Sequence, residues 1–535
     1  MAIQPPEVTG FTWILGGSSH PTTLLAVFLL LVGTLWLIAR LAQGSFRKLP
    51  PGPRGLPLIG DILHIADQEW LASPQRRDDY GEMTYISALG KGMLIINSQR
   101  VAVELLERRS TIYSDRPHYI SMGDYLTKNL TLTLTPYGDL LRRFRRVAVE
   151  GFSKPAAQHF HPIQNREAIM LALALMKSPR NLEKHLHRHA SSIMLSVNYH
   201  LPPVESEEDP NVVGVETHVR RLFHEMNPGT RLVEMLPWLR YIPSRFAKWK
   251  RDAQYWFIQD SLMYQRLLGK VIDDLANGVD RPSFGATIIK TQSKHGLSEL
   301  EQAWLVGDML RHVIVAPRVG KQRLLHCSGG FSPCSSYPNV QARAHAELDE
   351  VVGRARPPSF ADIPFLPYIR AMVEETLRWS PIAPFGVPHA STVDDWYEGM
   401  FIPKGTITLQ NVRVLNFDPE VFGSNVVEFD PSRYLDEKGQ VKTLTEGREE
   451  GHMSFGFGRR VCPGRHVAEA TLAIDFATLL WGMRFERPEG PQDELDVRTL
   501  VQSGLTARPV PFECKAVPRF AEAEALLNEG LILHE

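Results

Sequence analysis

The sequence predicts a mainly α-helical chain with small β-sheets, behind a single N-terminal transmembrane helix. Three observations support this prediction. Residues 22–39 are apolar throughout. Apolar residues recur at helical spacing in residues 366–381, and a long apolar helical stretch follows position 462. Between these regions, Met83–Ile86 and Met93–Ile96 have the character of short strands, and Arg100–Arg108 that of a helix.

The composition limits the classes of function. The chain has 535 residues, of which 43% are hydrophobic and 22% charged, as in a large globular protein. Its net charge is −1, so nothing indicates a nucleic-acid partner. Only four cysteines are present, too few for a disulfide framework, which favours a reducing compartment for the main domain: Cys327, Cys334, Cys462 and Cys514.

The predicted membrane span is Thr22–Ala39, which as a helix would extend over about 27 Å, enough for a hydrocarbon core. Arg40, Arg47 and Lys48 follow it, whereas residues 1–21 contain no Lys or Arg. The positive-inside rule makes residues 1–21 a lumenal tail and places the rest in the cytosol. A cleaved signal peptide is the alternative, but a basic region before the span and a small-residue cleavage site after it are both missing.

A basic and proline-rich linker is predicted over residues 40–60, because closely spaced prolines favour a stiff, extended chain. The remainder, residues 61–535, is predicted to be one catalytic domain. Asn129 begins the one N-glycosylation sequon that we find, and a cytosolic domain leaves it unmodified.

The run FGFGRRVCPG presents one cysteine, Cys462, just before a long apolar helix. Phe455, Gly458 and Arg460 precede this cysteine, and Gly464 follows it. Glycines permit close approach to a flat ligand, a helix N-terminus favours a thiolate, and an arginine pairs with carboxylates. The alternative, a buried thiol or a zinc ligand, lacks a partner Cys or His at metal spacing. The run therefore predicts a thiolate presented to a flat metal cofactor.

This run resembles the haem-binding loop of the cytochrome P450 family, the haem-thiolate monooxygenases, whose pattern F-x-x-G-x-R-x-C-x-G it fills at every fixed position. The resemblance, to fungal microsomal members of basidiomycete type, covers roughly residues 50–515. It implies the cytochrome P450 fold, with haem b as cofactor and Cys462 as the axial ligand of its iron. Phe455 would pack beside the thiolate, and Gly458 and Gly464 would border the ring.

A charge triad is also implied. Glu375 and Arg378 lie three residues apart on one face of the predicted helix over 366–381, where they can pair. Alone, such pairs are usually solvated surface salt bridges. Residues 429–435 (FDPSRYL) follow at the family distance and resemble its P-E-R-F element. The resemblance thus implies a buried triad of Glu375, Arg378 and Arg433 behind the haem, which fixes geometry more than it adds stability.

Three residues are implied to hold the haem propionates. Arg145 matches the arginine of the family's W-x-x-x-R helix, although Leu141 replaces the tryptophan. His389 lies where the family has a second ligand, with an ordinary half-buried histidine as the alternative, and Arg460 is the third. The neighbouring arginines form either a basic face that meets an acidic reductase or a merely solvated charge run: Arg142, Arg143 and Arg146.

The pattern breaks in the family's long central helix, which carries an acid and a threonine that relay protons during oxygen activation. Residues 305–316 (LVGDMLRHVIVA) begin this helix acceptably. Residues 317–336 then lack the acid–threonine pair and contain two prolines and paired glycines, which are poor helix formers. The alternatives are a genuine insertion loop and an error of reading frame.

The genetic code favours the frame error. Back-translation of residues 318–335 with free choice of degenerate bases, read one nucleotide earlier, permits Ala-Gly-Gly-Glu-Thr-Thr followed by an apolar helical stretch. Cys327 and Cys334 belong to this aberrant segment, so no metal site is predicted for them.

The resemblance implies insertion of one oxygen atom from dioxygen into a small, largely apolar secondary metabolite, with terpenoids, polyketides and indole derivatives unranked. NADPH-cytochrome P450 reductase, with cytochrome b5 as a further donor, would supply electrons at the endoplasmic reticulum membrane. Two alternatives stay open. One is a catalytically disabled haem-binding variant, and the other is a haem-thiolate isomerase or dehydratase that needs no external electrons.

Overall fold

The computed structural model confirms a mainly helical fold with small β-sheets. It describes residues 25–34, 48–56, 59–66, 75–206, 208–226, 230–314, 337–442, 451–486, 500–503, 506–509 and 515–533. The tail 1–21, the aberrant segment 317–336 and three of the cysteines lie outside these ranges. The predictions for those parts therefore concern residues that the structure does not describe.

Helices form most of the described chain. The longer α-helices are Asp139–Gly151, His161–Lys177, Leu182–Tyr199, Pro210–Met226, Lys248–Ala276, Glu299–Ile314, Pro338–Val351, Pro367–Trp379, Arg465–Gly482 and Ala523–Ile532. The shorter α-helices are Ile62–Ala66, Gln75–Tyr80, Gln99–Ala102, Ser110–Tyr113, Lys154–Gln158, Leu232–Met235, Phe284–Lys290, Gln292–His295, Val412–Asn416 and Pro419–Phe422. Turns of 3-10 helix occur at Pro179–Asn181, Pro237–Tyr241, Ile363–Phe365, Pro431–Tyr434 and Gly458–Arg460. Two segments, Val103–Arg108 and Ile120–Leu126, are π-helical, so the predicted helix at 100–108 changes its winding halfway.

Among the described residues, ten short strands form four small sheets. They are β1 Met83–Ala88, β2 Lys91–Ile96, β3 His389–Ala390, β4 Asp395–Tyr397, β5 Met400–Ile402, β6 Ile407–Gln410, β7 Met483–Glu486, β8 Leu500–Ser503, β9 Thr506–Pro509 and β10 Lys515–Pro518. The largest sheet has the order β1-β2-β6-β3, with a parallel β2–β6 pair between two antiparallel pairs. The pairs β4–β5, β7–β10 and β8–β9 are antiparallel. Both strands predicted from the sequence, β1 and β2, are confirmed.

The helix Arg465–Gly482, here the cysteine helix, lies at the centre of the core. Its residues are apolar on nearly all sides, the pattern of a helix that is buried all round. One large apolar cluster packs it against the helices His161–Lys177 and Pro367–Trp379. A second cluster contains Val467 of the cysteine helix together with the helix Glu299–Ile314, here the central helix. The cysteine helix therefore joins the two largest clusters and fixes the position of the loop before it.

The C-terminal part of the predicted linker is docked on the protein. Residues 48–56 and 59–61, here the edge segment, run beside β1, which is the outer strand of its sheet. The amide of Tyr85 donates to the carbonyl of Pro51 at 2.7 Å. A Cβ on Gly52 would lie 1.8 Å from the carbonyl oxygen of Tyr85, and one on Gly60, whose φ is +63°, would lie 2.0 Å from another β1 carbonyl. Glycine is therefore required at both positions for the close approach.

The structure leaves the transmembrane prediction untested. Residues 25–34, inside the predicted span, form a helix whose side chains are mostly exposed. Within the described ranges, no helix combines the length and the apolar character that crossing a bilayer requires.

Candidate active site

The loop before the cysteine helix is folded tightly around Cys462. The Cys462 amide donates to the carbonyl of Phe455 at 2.9 Å, which closes the loop. Within it, Gly458 has φ of +50°, and a Cβ there would lie 2.3 Å from the carbonyl oxygen of Leu106. In the structure Gly458 makes room for the backbone of the π-helix Val103–Arg108. Its predicted position beside a flat ring stays a prediction. Phe455 is half-buried at the edge of the first apolar cluster.

Cys462 is held in a largely apolar setting. Burial raises the pKa of its thiol, while the backbone N–H of Gly464, just before the cysteine helix, acts in the opposite direction. The helix N-terminus thus favours the anion, as expected, but desolvation is the larger effect. A cationic metal is the natural partner for a thiolate in this position, because its charge offsets the desolvation.

Two predicted propionate ligands, Arg145 and Arg460, are brought together near Cys462. Arg145 donates to the carbonyl of Val461 at 2.6 Å. Arg460 is 9% exposed and donates three hydrogen bonds to carbonyls of the segment 114–135. Each arginine carries five N–H groups, so both retain donors beyond these bonds.

Sequence reasoning missed a third arginine, Arg116, which is 7% exposed. Its guanidinium donates to the carbonyls of Thr133, Val387 and Pro388 at 2.7–2.8 Å. Arg116 lies close enough to Arg460 that the positive charge of Arg460 contributes to lowering its pKa. The sequence carries little signal for this role, since an arginine followed by proline is common in exposed turns.

His389 lies on β3, with an exposed fraction of 2%. Its Nδ1 donates to the carbonyl of Tyr113 at 2.6 Å, because the carbonyl accepts only. The neutral ring therefore has no proton on Nε2, and burial together with Arg116 lowers its pKa well below the ordinary value. A carboxylate at Nε2 would be held only by the protonated ring, and its negative charge would favour that protonation.

These four basic groups fit a ligand with carboxylates. Burial lowers the pKa of Arg145, Arg116 and His389, and lowers that of Arg460 to about 10. Among the described residues, none of the three guanidiniums has a carboxylate within ion-pair distance, although Asp115 is near enough to raise the pKa of Arg460. Buried cations normally have a counter-charge. The cluster therefore matches the two propionates of a haem whose iron would be held by Cys462.

The structure also brings Glu375, Arg378 and Arg433 together. Glu375 and Arg378 are fully buried and form two hydrogen bonds of 2.7 Å, and the Nε of Arg433 lies 3.4 Å from Glu375. Arg378 also donates to the carbonyl of Asn416, at the end of the helix Val412–Asn416, and to those of Val426 and Glu428. The pair, whose burial the helical spacing alone left open and the resemblance implied, is buried and cross-links several segments.

The neighbouring arginines, Arg142, Arg143 and Arg146, lie on the helix Asp139–Gly151. Arg143 is held by Asp139 and Glu301, whereas Arg142 and Arg146 are exposed. Leu141, which replaces the family's tryptophan, is buried in the second apolar cluster. Only part of the predicted basic face is therefore presented to solvent.

The central helix is described as far as Ile314. Met309 on this helix lies near Gly464, since a Cβ on that glycine would be 3.9 Å from the Met309 Cε. The central helix thus approaches the cysteine loop directly at Met309.

Comparisons with known proteins agree with this site. The family model for Cytochrome P450 matches residues 50–304 and 330–515, so the match is interrupted across the start of the aberrant segment. A cytochrome P450 monooxygenase of Armillaria gallica is 42% identical over 504 residues, which cover 93% of this chain and 95% of that protein. Cytochrome P450 monooxygenase 58 of Postia placenta is 38% identical over 519 residues, covering 96% and 97%. Cytochrome P450 monooxygenase iboC of Amanita muscaria is 34% identical over 541 residues, covering 92% and 94%.

The matches run along nearly the whole chain and include the cysteine loop, the buried basic cluster and the charge triad. This chain belongs to the cytochrome P450 family, the haem-thiolate monooxygenases.

Proposed function

We propose that this protein is a membrane-anchored monooxygenase that inserts one oxygen atom into a small, largely apolar secondary metabolite. The observation that carries the proposal is the partly buried thiol of Cys462 close to Arg116 and Arg460, two buried cations that form no ion pair with a carboxylate among the described residues. When bound, the haem would supply dioxygen activation, which electron donation from a thiolate ligand favours. The fungal relatives, all named monooxygenases, support the reaction class.

The chain's own residues have three tasks in this proposal. Cys462 would hold the iron through its thiolate, in a partly buried position where desolvation raises the pKa of the thiol. Arg116, Arg145 and Arg460, joined by His389 once it is protonated, hold the propionates and fix the orientation of the ring. The triad behind the loop keeps these groups in place.

Reductase-supplemented membranes provide the test. With NADPH, wild-type protein is expected to convert an apolar test substrate to a product one oxygen atom heavier, and Cys462→Ser is expected to abolish this conversion. The exposed variant Arg142→Gln should retain haem and lose only reductase-dependent turnover if this arginine meets the reductase. Turnover that continues without NADPH would contradict the proposal and favour an isomerase or dehydratase.

The aberrant segment bears on whether this exact chain is active. We infer that residues 317–336 arise from a shifted reading frame and that the intact product carries Glu-Thr-Thr in its central helix. The interruption of the family match at residues 305–329 supports this inference. Sequencing the expressed message across the codons for Leu305–Gln341 tests it. A message that encodes residues 317–336 as written would instead favour a disabled haem-binding variant.

The proposal includes a single span at residues 22–39 and a cytosolic domain at the endoplasmic reticulum. A patch of exposed apolar side chains around residues 232–246 supports contact with a bilayer. Its members are Leu232 (65% exposed), Trp238 (61%), Tyr241 (80%) and Phe246 (71%). Aromatic residues of this kind favour the membrane–water interface. In vesicle flotation of a chain without residues 1–47, Trp238→Ser with Tyr241→Ser is expected to reduce binding. Unchanged flotation would exclude the patch as a contact.

A further inference from the structure

Asn416 connects the buried triad to the loop that carries the cysteine. This residue ends the helix Val412–Asn416 and is fully buried. Its Nδ2 donates to the carbonyl of Arg378 and to the Oγ of Ser454, both at 3.0 Å. Its Oδ1 accepts from the amide of Met453 at 2.8 Å. Arg378 in turn donates to the carbonyl of Asn416 at 2.9 Å.

The amide orientation of Asn416 is fixed by its partners. The carbonyl of Arg378 can only accept and the amide of Met453 can only donate, so Nδ2 and Oδ1 cannot be exchanged. Both N–H groups and the oxygen are thus satisfied, as a buried amide requires. Neither aspartate nor alanine reproduces this combination of two donors and one acceptor.

The bonds of Asn416 continue to the metal ligand through the loop backbone. Ser454 donates to the carbonyl of Leu377 at 2.6 Å, which ties the loop to the helix of the triad a second time. The next residue, Phe455, accepts the hydrogen bond from the Cys462 amide. On the other side, Gln99 donates to the carbonyl of Gly451 at 3.3 Å. The start of the loop is therefore held at three residues, Gly451, Met453 and Ser454.

We propose that Asn416 is a positioning residue that transmits the fixed geometry of the triad to Cys462. Glu375 fixes the guanidinium of Arg378, and this guanidinium holds the carbonyl of Asn416. The side chain of Asn416 in turn fixes the positions of Met453 and Ser454 through its hydrogen bonds. The Phe455 carbonyl follows directly and determines where the Cys462 amide lies. This inference rests on the proposed function, since it assigns Asn416 a role in presenting the thiolate to iron.

Two variants and one control separate positioning from general stability. Asn416→Asp keeps the shape but replaces two donors with a buried charge, and Ser454→Ala removes one bond of the network. The control is Asn198→Asp, since Asn198 is also fully buried but donates only within its own helix, to the carbonyl of Met194 at 2.8 Å. A role limited to stability would make Asn416→Asp and Asn198→Asp alike.

The first measurement is amide hydrogen exchange in peptides spanning residues 451–455 of the full-length protein. In Asn416→Asp the carboxylate can still accept from the Met453 amide, but both Nδ2 bonds, to the Arg378 carbonyl and the Ser454 Oγ, are lost. Because this frees the loop backbone, the Met453 amide is expected to exchange about tenfold faster. In Asn198→Asp it should exchange as in the wild type. Unchanged exchange in both Asn416→Asp and Ser454→Ala would overturn the proposal. If Asn416→Asp does not fold, Ser454→Ala decides alone, with faster exchange of the same peptide expected.

The second measurement is the absorption spectrum of the ferrous carbon-monoxide complex, which distinguishes a thiolate-ligated haem from one that has lost its thiolate. Asn416→Asp and Ser454→Ala are expected to shift part of the haem to the thiolate-free form, and Asn198→Asp is not. A wild-type protein that binds no haem would contradict the proposed function while leaving the exchange measurement valid. Haem binding with identical spectra in all variants would contradict the role of Asn416 alone.

Discussion

Replacement of Glu375 by glutamine is expected to remove a large part of the folding free energy. Glu375 is fully buried and accepts two hydrogen bonds of 2.7 Å from Arg378 and one of 2.9 Å from the Asp430 amide. The variant keeps the shape but leaves the guanidiniums of Arg378 and Arg433 without their counter-charge. Breaking a buried pair in this way typically costs about 3–5 kcal/mol, against a total of about 5–15 kcal/mol for a domain.

Urea unfolding followed by tryptophan fluorescence measures this change. The midpoint should fall while the slope stays constant, because the surface exposed on unfolding is unchanged. The matched control is Asp252→Asn, which breaks the exposed pair between Lys248 and Asp252 and should change stability by about 0.5 kcal/mol or less. A loss below about 1 kcal/mol for Glu375→Gln would show that the triad is not a buried charge network, against the reasoning above.

Three further outcomes are expected. Gly458→Ala should lower thermal stability by at least about 1–3 kcal/mol, because a positive φ and the Leu106 carbonyl both oppose a Cβ. Trp304→Phe should lose about 1–3 kcal/mol in urea unfolding, since the indole donates to the Ser261 Oγ at 2.9 Å and a smaller ring fills its site less well. Burial and a nearby arginine lower the pKa of His345 from 6.5 to about 4 in the folded protein. As the pH falls from 6.5 towards 4, His345 is therefore protonated in the unfolded chain before it is protonated in the folded one, and the free energy of unfolding should decrease. His345→Gln should reduce that decrease.

Each of these expectations has its own control or contrary result. Gly353→Ala, with φ of +73° but no atom within 4 Å of the added Cβ, should lose less stability than Gly458→Ala. A Trp304→Phe protein as stable as wild type would mean that the indole contact is not formed in solution. A pH–stability curve that is the same for wild type and His345→Gln would show that this histidine titrates normally when folded.

Much of the fold and of the site could be predicted from hydrophobic periodicity and local motifs in the sequence. The strands β1 and β2 and the helix Pro367–Trp379 were predictable because their apolar spacing is local. Glu375 and Arg378 were identifiable for the same reason, as neighbours on one helical face. Their burial did not follow from this spacing, because an E-x-x-R pair has the same sequence on a surface as in a core, and it was expected only from the family resemblance.

Residues whose role depends on partners distant in the chain could not be predicted from the sequence. Arg116 and Asn416 are buried by segments more than 30 positions away, and nothing in their local sequence separates them from exposed polar residues. The two π-helices were likewise not predictable, since their winding is an adjustment within an otherwise helical pattern. Gly458 was found, but its steric reason, the Leu106 carbonyl, is a contact across some 350 residues.

The edge segment sets the boundary for any shortened version of this protein. Because its carbonyls and glycines cover the outer side of β1, removal of residues up to 47 leaves that strand protected. Removal up to 61 would uncover a row of unpaired backbone groups on an apolar sheet, the usual starting point for aggregation. The prolines and glycines of this segment thus cover the edge of the sheet. A soluble catalytic domain should therefore begin at or before Lys48 rather than after Asp61.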